Sequence, residues 1–341
     1  MSLTDHITQR WYDGSRRPWL LRPLTWLYRG VVGARVWLYR HGWLRSERLS
    51  VPVLVVGNIS LGGTGKTPLV IALVEWLCAQ GWQPGVVSRG YGGSQHEPAL
   101  LPDVAEPARY GDEPCLIHAR TGCPVAVGRD RPAAARLLLH DGCDVVITDD
   151  GLQHYRLQRD IEICVLDGKR RLGNGLMLPC GPLREPPSRL CRVDYRVCNG
   201  DSAHHGEIGM HLSGDQVRGV NDRKRVQLLA ALTGKRVHAV AGIGHPQRFF
   251  DSLRAQGLGV IEHAFPDHHA FVRADIDFGD DAPVLMTEKD AIKCIEFAHA
   301  GCWSVPVQAT LPETFLRELD ARLRALRQCV ETSDSTTMSS T

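Results

Sequence analysis

Lys66 and Thr67 close the run Ser60-Leu61-Gly62-Gly63-Thr64-Gly65-Lys66-Thr67. Glycines at this spacing let successive backbone N–H groups turn inward around phosphate oxygens, and a helix that starts here adds the positive end of its dipole. Lys66 would then reach the β- and γ-phosphates of a nucleotide, and Thr67 would ligate Mg²⁺. The context that such a loop requires is present. Residues 51–56 read as a buried parallel strand before the loop, and residues 69–79 read as a helix after it. One position departs from the pattern: Ser60 stands where the first glycine is usual. A residue with a Cβ is less free at positive φ, so the start of the loop is expected to differ.

A second set of candidates is acidic. Residues 144–148 form another apolar run, and it ends in Asp149 and Asp150. Carboxylates at the C-terminal end of a parallel strand lie beside the crevice where open α/β sheets bind ligands, the position of an acid that holds Mg²⁺ directly or through water. Gly111-Asp112-Glu113-Pro114 opens a helical stretch, where acids suit the helix dipole without any further role. Asp160 and Asp167 flank a strand at 161–166 and carry no special signal. Further on, 237–241, the turn Gly242-Ile243-Gly244-His245-Pro246 and an apolar-periodic stretch to 258 repeat the strand–loop–helix grammar. This turn lacks the third glycine of a dinucleotide fingerprint. His268 and His269 are adjacent and must point apart, and no third metal ligand is evident. A histidine oriented by an aspartate stays open as a reading. In Thr287-Glu288-Lys289-Asp290 lysine directly precedes aspartate, which is the wrong spacing for guanine recognition and counts against a GTPase.

The elements that must hold these groups are set by bulk properties. With 341 residues and 43% hydrophobic content, the chain can bury a substantial core and is expected to form two units. A net charge of +2 argues neither for nor against nucleic acid. Eleven cysteines with no C-x-x-C pair read as free thiols in a reducing compartment rather than a disulfide framework or zinc ribbon. No secretory signal and no apolar stretch of about 20 residues is present, so the chain is expected on the cytoplasmic side. The divisions expected are 1–45, a basic aromatic helix; 46–200, the phosphate-loop domain; 201–330, a second α/β domain; and 331–341, a Ser/Thr-rich disordered tail.

The first fifty residues hold five of the eight tryptophans, together with Arg10, Arg16, Arg17, Arg22, Arg29, Arg35, Arg40, Arg45 and Arg48. On a helical wheel Trp19, Trp26 and Trp37 share one line, and Arg22, Arg29 and Arg40 share a second about 60° away at roughly 100° per residue. Indole and guanidinium side by side suit a lipid headgroup layer. The alternative is a surface helix packed on the catalytic domain with its arginines reaching outward.

The motifs in order resemble the tetraacyldisaccharide 4′-kinase family of lipid A biosynthesis. The matching segments are VGNISLGGTGKTP (56–68), VSRGYGG (87–93), GDEP (111–114), TDDGLQH (148–154), LPCGPLRE (178–185), AGIGHPQRF (241–249), FPDHH (265–269) and TEKDAIK (287–293). Ser60 belongs to this family's loop. The resemblance implies an α/β fold: a P-loop NTPase-like, mostly parallel sheet, a second and smaller α/β domain, and an N-terminal membrane-associated helix. It implies ATP and Mg²⁺, and transfer of the γ-phosphate to the 4′-hydroxyl of tetraacyldisaccharide 1-phosphate, forming lipid IVA at the cytoplasmic face of the bacterial inner membrane. A lipid acceptor and the membrane surface are the partners implied, with no nucleic acid and no obligate protein partner. Carried over by motif, Asp112 is the general base and His268 its supporting partner, with His269 the competing assignment. Ser60, Gly62, Gly63, Thr64, Gly65, Lys66 and Thr67 bind the nucleotide. Thr67, Glu113, Asp149 and Asp150 form the Mg²⁺–ATP group, and Arg89, Arg184 and Glu185 contact substrate. A membrane-recruited P-loop switch with no small-molecule acceptor is the rival reading.

Overall fold

A computed structural model describes residues 11–12, 19–200 and 203–338. The first helix, α1 (Arg22–Arg40), precedes a nine-stranded sheet. In chain order the elements of that sheet's unit are β1 (Val53–Gly57), α2 (Lys66–Ala79), β2 (Pro84–Ser88), β3 (Ala99–Leu100), α3 (Asp112–Thr121), β4 (Val125–Val127), α4 (Arg131–His140), β5 (Val145–Thr148), β6 (Ile161–Asp167), β7 (Tyr195–Asn199) and β8 (Ile208–Ser213). The second unit holds β9 (Gln216–Gly219), β10 (Val226–Leu228), β11 (Arg236–Ala241), α5 (Pro246–Ala255), β12 (Gly259–Ala264), β13 (Val284–Thr287), α6 (Glu288–Cys294) and β14 (Cys302–Val305). The chain then returns with β15 (Gln308–Thr310) and α7 (Glu313–Met338).

The first sheet runs β15-β8-β7-β6-β1-β5-β2-β4-β3, parallel from β4 through to β8 with an antiparallel strand on each edge. Its central strands are covered on both faces, which is why β1 and β5 read as continuous apolar runs rather than alternating ones. After β1 the chain builds outward on one side, returns to insert β5 beside β1, and only then lays β6 on the other side. The crevice opens at that reversal, at the C-terminal ends of β1, β5 and β6. The glycine loop and the two aspartates therefore meet by topology. The second sheet, β10-β9-β14-β13-β11-β12, is mixed and smaller, as expected.

Two boundaries differ from the sequence reading. β8 and β15 pair with each other at the edge of the first sheet, so the first unit extends past 200 and is completed by the end of the chain. Phe315, Leu319 and Leu323 of α7 sit in the same buried cluster as Leu69, Leu73 and Leu77 of α2. Such pairing over more than two hundred residues leaves no local mark on the sequence. α7 also continues to Met338, into the segment expected to be a disordered tail. No proline or glycine follows Pro312 to stop it.

α1 lies on the first unit by one face. Thr25, Tyr28, Val32, Val36 and Tyr39, at helical spacing, are half-buried, and Tyr28 and Val32 pack on the cluster around Leu183. The opposite face is apolar and open, with Trp26 at 78% and Leu27 at 66% exposure, flanked by Leu20, Leu24, Val31 and Trp37. The packed-helix and the exposed-aromatic readings thus describe two sides of one helix. Trp19's side chain and residues 13–18, including Arg16 and Arg17, lie outside what is described, as does Arg10. Among the described residues no helix is long and apolar enough to cross a membrane.

If α7 belongs to the first core, Leu319→Ala should cost about 2–5 kcal/mol in urea unfolding, the range for a fully buried leucine. A loss under about 1 kcal/mol would show that the returning helix is peripheral.

Candidate active site

The loop's geometry explains Ser60. The strained backbone positions are Gly62 and Gly65, with φ of 100° and 94°, and Ser60 is not among the positive-φ residues. Ser60 instead forms a bridge to Leu183, an extended arrangement that any residue can adopt. Gly65 is required twice over, because a Cβ there would also stand 2.6 Å from Asn199 Nδ2. Asn58 Nδ2 donates to Thr64 Oγ1 at 3.2 Å and Asn199 Nδ2 to Thr64 O at 3.0 Å, so buried amides brace the loop from two sides. α2 begins at Lys66, three residues earlier than expected, which places Lys66 and Thr67 on its first turn.

The adjacent aspartates have opposite surroundings. Asp150 accepts from Arg184 Nη1 at 2.9 and 3.1 Å, and Lys66 Nζ lies 3.6 Å away. Burial works against its ionisation, but the Lys66 and Arg184 charges overcome it and hold the carboxyl down to about 2. Asp149 is 1% exposed, and both of its oxygens are buried with no hydrogen-bond partner. Burial, and after it the charge of Glu113, push its carboxyl up to about 7. Thr148 Oγ1 and Asn58 Oδ1 are orphaned in the same way. Unfilled buried oxygens of this kind fit a divalent cation carried in on a nucleotide. Thr67, Asp149 and Glu113 are the residues that would hold it. Asp150, expected in that set, is given to Lys66 and Arg184 instead. Among the described residues no three acidic, histidine or cysteine side chains form a metal site. Mg²⁺ typically takes only one or two carboxylates, with phosphate oxygens and water completing its shell.

Across the crevice, α3 starts with Asp112 and Glu113. Gly111, at φ 94°, lets the chain pass under the 89–93 loop, because a Cβ there would stand 2.8 Å from Tyr91 O. His268 Nδ1, from the second unit, lies 3.0 Å from Asp112 Oδ2, a contact that puts the ring proton on Nδ1 when the carboxyl is ionised. Lys293 Nζ is 3.6 Å from the same oxygen. Burial opposes ionisation of Asp112, but the His268 hydrogen bond and the lysine charges hold it below the usual carboxylate range. Lys289 reaches Glu113 at 3.7 Å and Asp267 at 3.4 Å. His269 points away, with Nε2 3.0 Å from Asp275 Oδ2 and its ring stacked on Phe265, which separates it from His268.

The expected substrate contacts Arg89 and Glu185 lie in opposite surroundings. Arg89 is exposed, and its charge bears on Arg131 and His154. Glu185 is 2% exposed and accepts from Gln153 Nε2 at 2.9 Å and from Tyr155 Oη, with Arg189 Nε 3.7 Å away. Its carboxylate is consumed inside the protein, so it anchors the segment that carries Arg184 rather than meeting a ligand. Sequence reasoning gave no role to Arg131, Asn199 or Lys293. Arg131 is 2% exposed, donates from Nη2 to Asp150 O at 3.2 Å and has Nε and Nη1 buried without partners. Only its place after Asp130, the α4 N-cap, hinted that it starts a helix beside the crevice. The buried thiols of Cys115, Cys143, Cys164 and Cys294 are pushed up to about 12 by burial, so they pack rather than react.

A braced phosphate loop, an acidic pair at the next strand and a half-buried Asp–His pair across the crevice together define a P-loop phosphotransferase. The family model for tetraacyldisaccharide-1-P 4′-kinase matches residues 17–324, and the chain belongs to that family. It is 53% identical over 327 residues to a tetraacyldisaccharide 4′-kinase of Stenotrophomonas maltophilia (strain R551-3), covering 93% of this chain and 96% of the relative. It is also 53% identical over 329 residues to that of Xanthomonas euvesicatoria pv. vesicatoria (strain 85-10), covering 93% and 95%. A crystal structure of LpxK from Aquifex aeolicus in complex with ATP superposes with a TM-score of 0.76 at 28% identity, covering 89% of this chain and 98% of that one.

Asp149 supplies a test in the unliganded protein. Its folded-state pKa lies above the unfolded value, so the cost of ionising it is absent near pH 4 and complete above about pH 7. Asp149→Asn should therefore raise the thermal midpoint by about 2–6 °C at pH 8 and by little at pH 4.5, while abolishing Mg²⁺-dependent nucleotide binding. An equal shift at both pH values would contradict this.

Proposed function

We infer that this chain transfers the γ-phosphate of ATP to the 4′-hydroxyl of a tetraacyldisaccharide 1-phosphate, with Mg²⁺ on the nucleotide, and that it works at the cytoplasmic face of a bacterial inner membrane. The observation that carries the reading is the Asp112–His268 pair. It joins the two units beside Glu113, whose charge is felt at Asp149 next to the phosphate loop.

The residues can divide the reaction as follows. Loop N–H groups and Lys66 hold the triphosphate, and Lys66 would exchange its contact with Asp150 for phosphate oxygens. Thr67, Glu113 and Asp149 would hold Mg²⁺ on the nucleotide, which would neutralise charge on the transferred phosphate. Asp112, ionised at neutral pH, accepts the proton of the acceptor hydroxyl as that oxygen bonds to the γ-phosphorus and the bond to the leaving ADP oxygen breaks. A positioned base of this kind contributes about 10²–10⁴-fold. His268 fixes the carboxylate's orientation, and Lys293 keeps it charged. Arg89, whose charge is felt at the buried Arg131, makes the crevice wall positive toward an anionic acceptor, while Arg184 keeps Asp150 paired once Lys66 moves to phosphate.

An acylated acceptor stays in the bilayer, which gives the open apolar face of α1 its purpose. Leu20, Leu24, Trp26, Leu27 and Val31 face away from the catalytic unit, while Tyr28 Oη donates to Arg184 O at 3.1 Å. The helix is thus fastened to the segment that holds Asp150, with its other side free to enter a headgroup layer.

Two measurements test this reading. Asp112→Asn should lower turnover on the lipid acceptor at least about 100-fold while leaving ATP affinity within about threefold. Equal losses would place Asp112 on the nucleotide. Leu24→Ser with Leu27→Ser should weaken binding to anionic phospholipid vesicles at least about tenfold without changing ATP affinity. Unaltered vesicle binding would remove the interfacial role.

A further inference from the structure

The segment 242–248 has a strand–loop–helix signature that neither the phosphate loop nor the acidic pair uses. It leads into α5, whose third residue, Arg248, reaches out of its own unit. Arg248 Nη1 lies 3.4 Å from Asp167 Oδ2, and Nη2 lies 3.3 Å from Asn199 Oδ1. These partners are the last residues of β6 and β7, directly paired in register, on the side of β1 away from β5.

Asn199 touches the phosphate loop directly, and Asp167 reaches it only through Arg170. Asp167 Oδ1 accepts from the N–H groups of Lys169 and Arg170 at 2.9 Å each, and the Arg170 guanidinium lies beside Gly62. Asn199 Nδ2 donates to Thr64 O at 3.0 Å. An asparagine amide has one acceptor end and one donor end, and arginine offers only donors. Arg248 on Oδ1 therefore selects the amide orientation that presents Nδ2 to Thr64. The consequence passes along one peptide plane. In a trans peptide the carbonyl and the following N–H point in opposite directions. Holding Thr64 C=O against Asn199 thus aims the Gly65 N–H the other way, into the cradle where phosphate oxygens bind.

We propose that Arg248 is a positioning residue for nucleotide binding: through Asn199 it sets the Thr64–Gly65 peptide and couples the second unit to the phosphate loop. The proposal rests on the kinase reading above. The competing account is an ordinary interdomain surface contact, since the Arg248 side chain is 49% exposed and such contacts add little to stability. The two accounts differ in what the residue controls. A surface contact would affect folding slightly and nucleotide affinity not at all.

Calorimetric titration of ADP with Mg²⁺ into the full chain decides between them. Arg248→Ala should weaken ADP binding by about three- to tenfold, and Arg248→Lys, which keeps a donor but not the fork, should recover part of the loss. Asn199→Ala should weaken binding similarly, and adding Arg248→Ala to it should weaken it no further. The thermal midpoint of unliganded Arg248→Ala should stay within about 2 °C of the parent. ADP affinity within twofold of the parent for Arg248→Ala, or full additivity with Asn199→Ala, overturns the proposal. The Ala–Lys comparison at 248 is decisive even where Asn199→Ala is unstable. A parent chain that binds no ADP would overturn the kinase reading as well, whereas normal parent binding with an unmoved Arg248→Ala overturns this proposal alone.

Discussion

Asp149 and Asp150 end one buried strand, and the protein supplies enough positive charge for only one of them. Asp150 takes Lys66 and Arg184 and stays ionised, while Asp149 is left with two empty oxygens and a carboxyl pushed up to about 7. An uncompensated carboxylate in that position costs stability, and the cost is relieved by protonation at low pH or by a cation arriving from outside. The unliganded site is thus electrostatically incomplete in a way that favours binding. The surrounding arrangement follows from this imbalance. Lys66 is held ready at the mouth of the loop, Arg184 is tied down by the buried Glu185 beside it, and Glu113 across the crevice adds to the negative charge that a metal would neutralise.

The two units are joined by apolar packing of Ile292 into the first core and by charge. Asp112 and Glu113 belong to the first unit, and His268, Lys289 and Lys293 reach them from the second. A pair assembled across an interface depends on how the units sit against each other, so the Asp112–His268 geometry is tied to domain position. Arg248 makes the reverse connection, from the second unit to the floor of the phosphate loop. The Arg248 side chain is half-exposed, whereas the side chains of Asp112 and Lys293 are largely buried, as is Glu185, which with Tyr155 and Gln153 holds Arg184's segment in place.

α1 shows how one helix can serve two surfaces. Its half-buried face is short on large apolar contacts and relies on hydrogen bonds from Thr25 and Tyr28 to the 177–184 segment. Its better apolar stripe faces outward. For a helix stabilised only by packing on its own protein this would be the wrong way round. It is the arrangement that the proposed membrane-facing role requires.

The sequence by itself determined the phosphate loop, the acidic strand end, the two α/β units and the family, because each is written in consecutive residues whose spacing is their geometry. Lys66 needs only the glycines before it, and Asp149 needs only the apolar run that ends in it. Tertiary structure decided everything that depends on who the neighbours are. It placed His268 rather than His269 against Asp112, since adjacent side chains point apart and only the fold says which one faces that carboxylate. It divided Asp149 from Asp150, identical in type and adjacent in sequence, by pairing only Asp150 directly with Lys66 and Arg184. It moved Glu185 from ligand contact to buried anchor, brought Arg131, Asn199, Arg248 and Lys293 to the site, and carried the end of the chain back into the first core. Burial and pairing across hundreds of residues set those roles, and neither is a property of a local stretch of sequence.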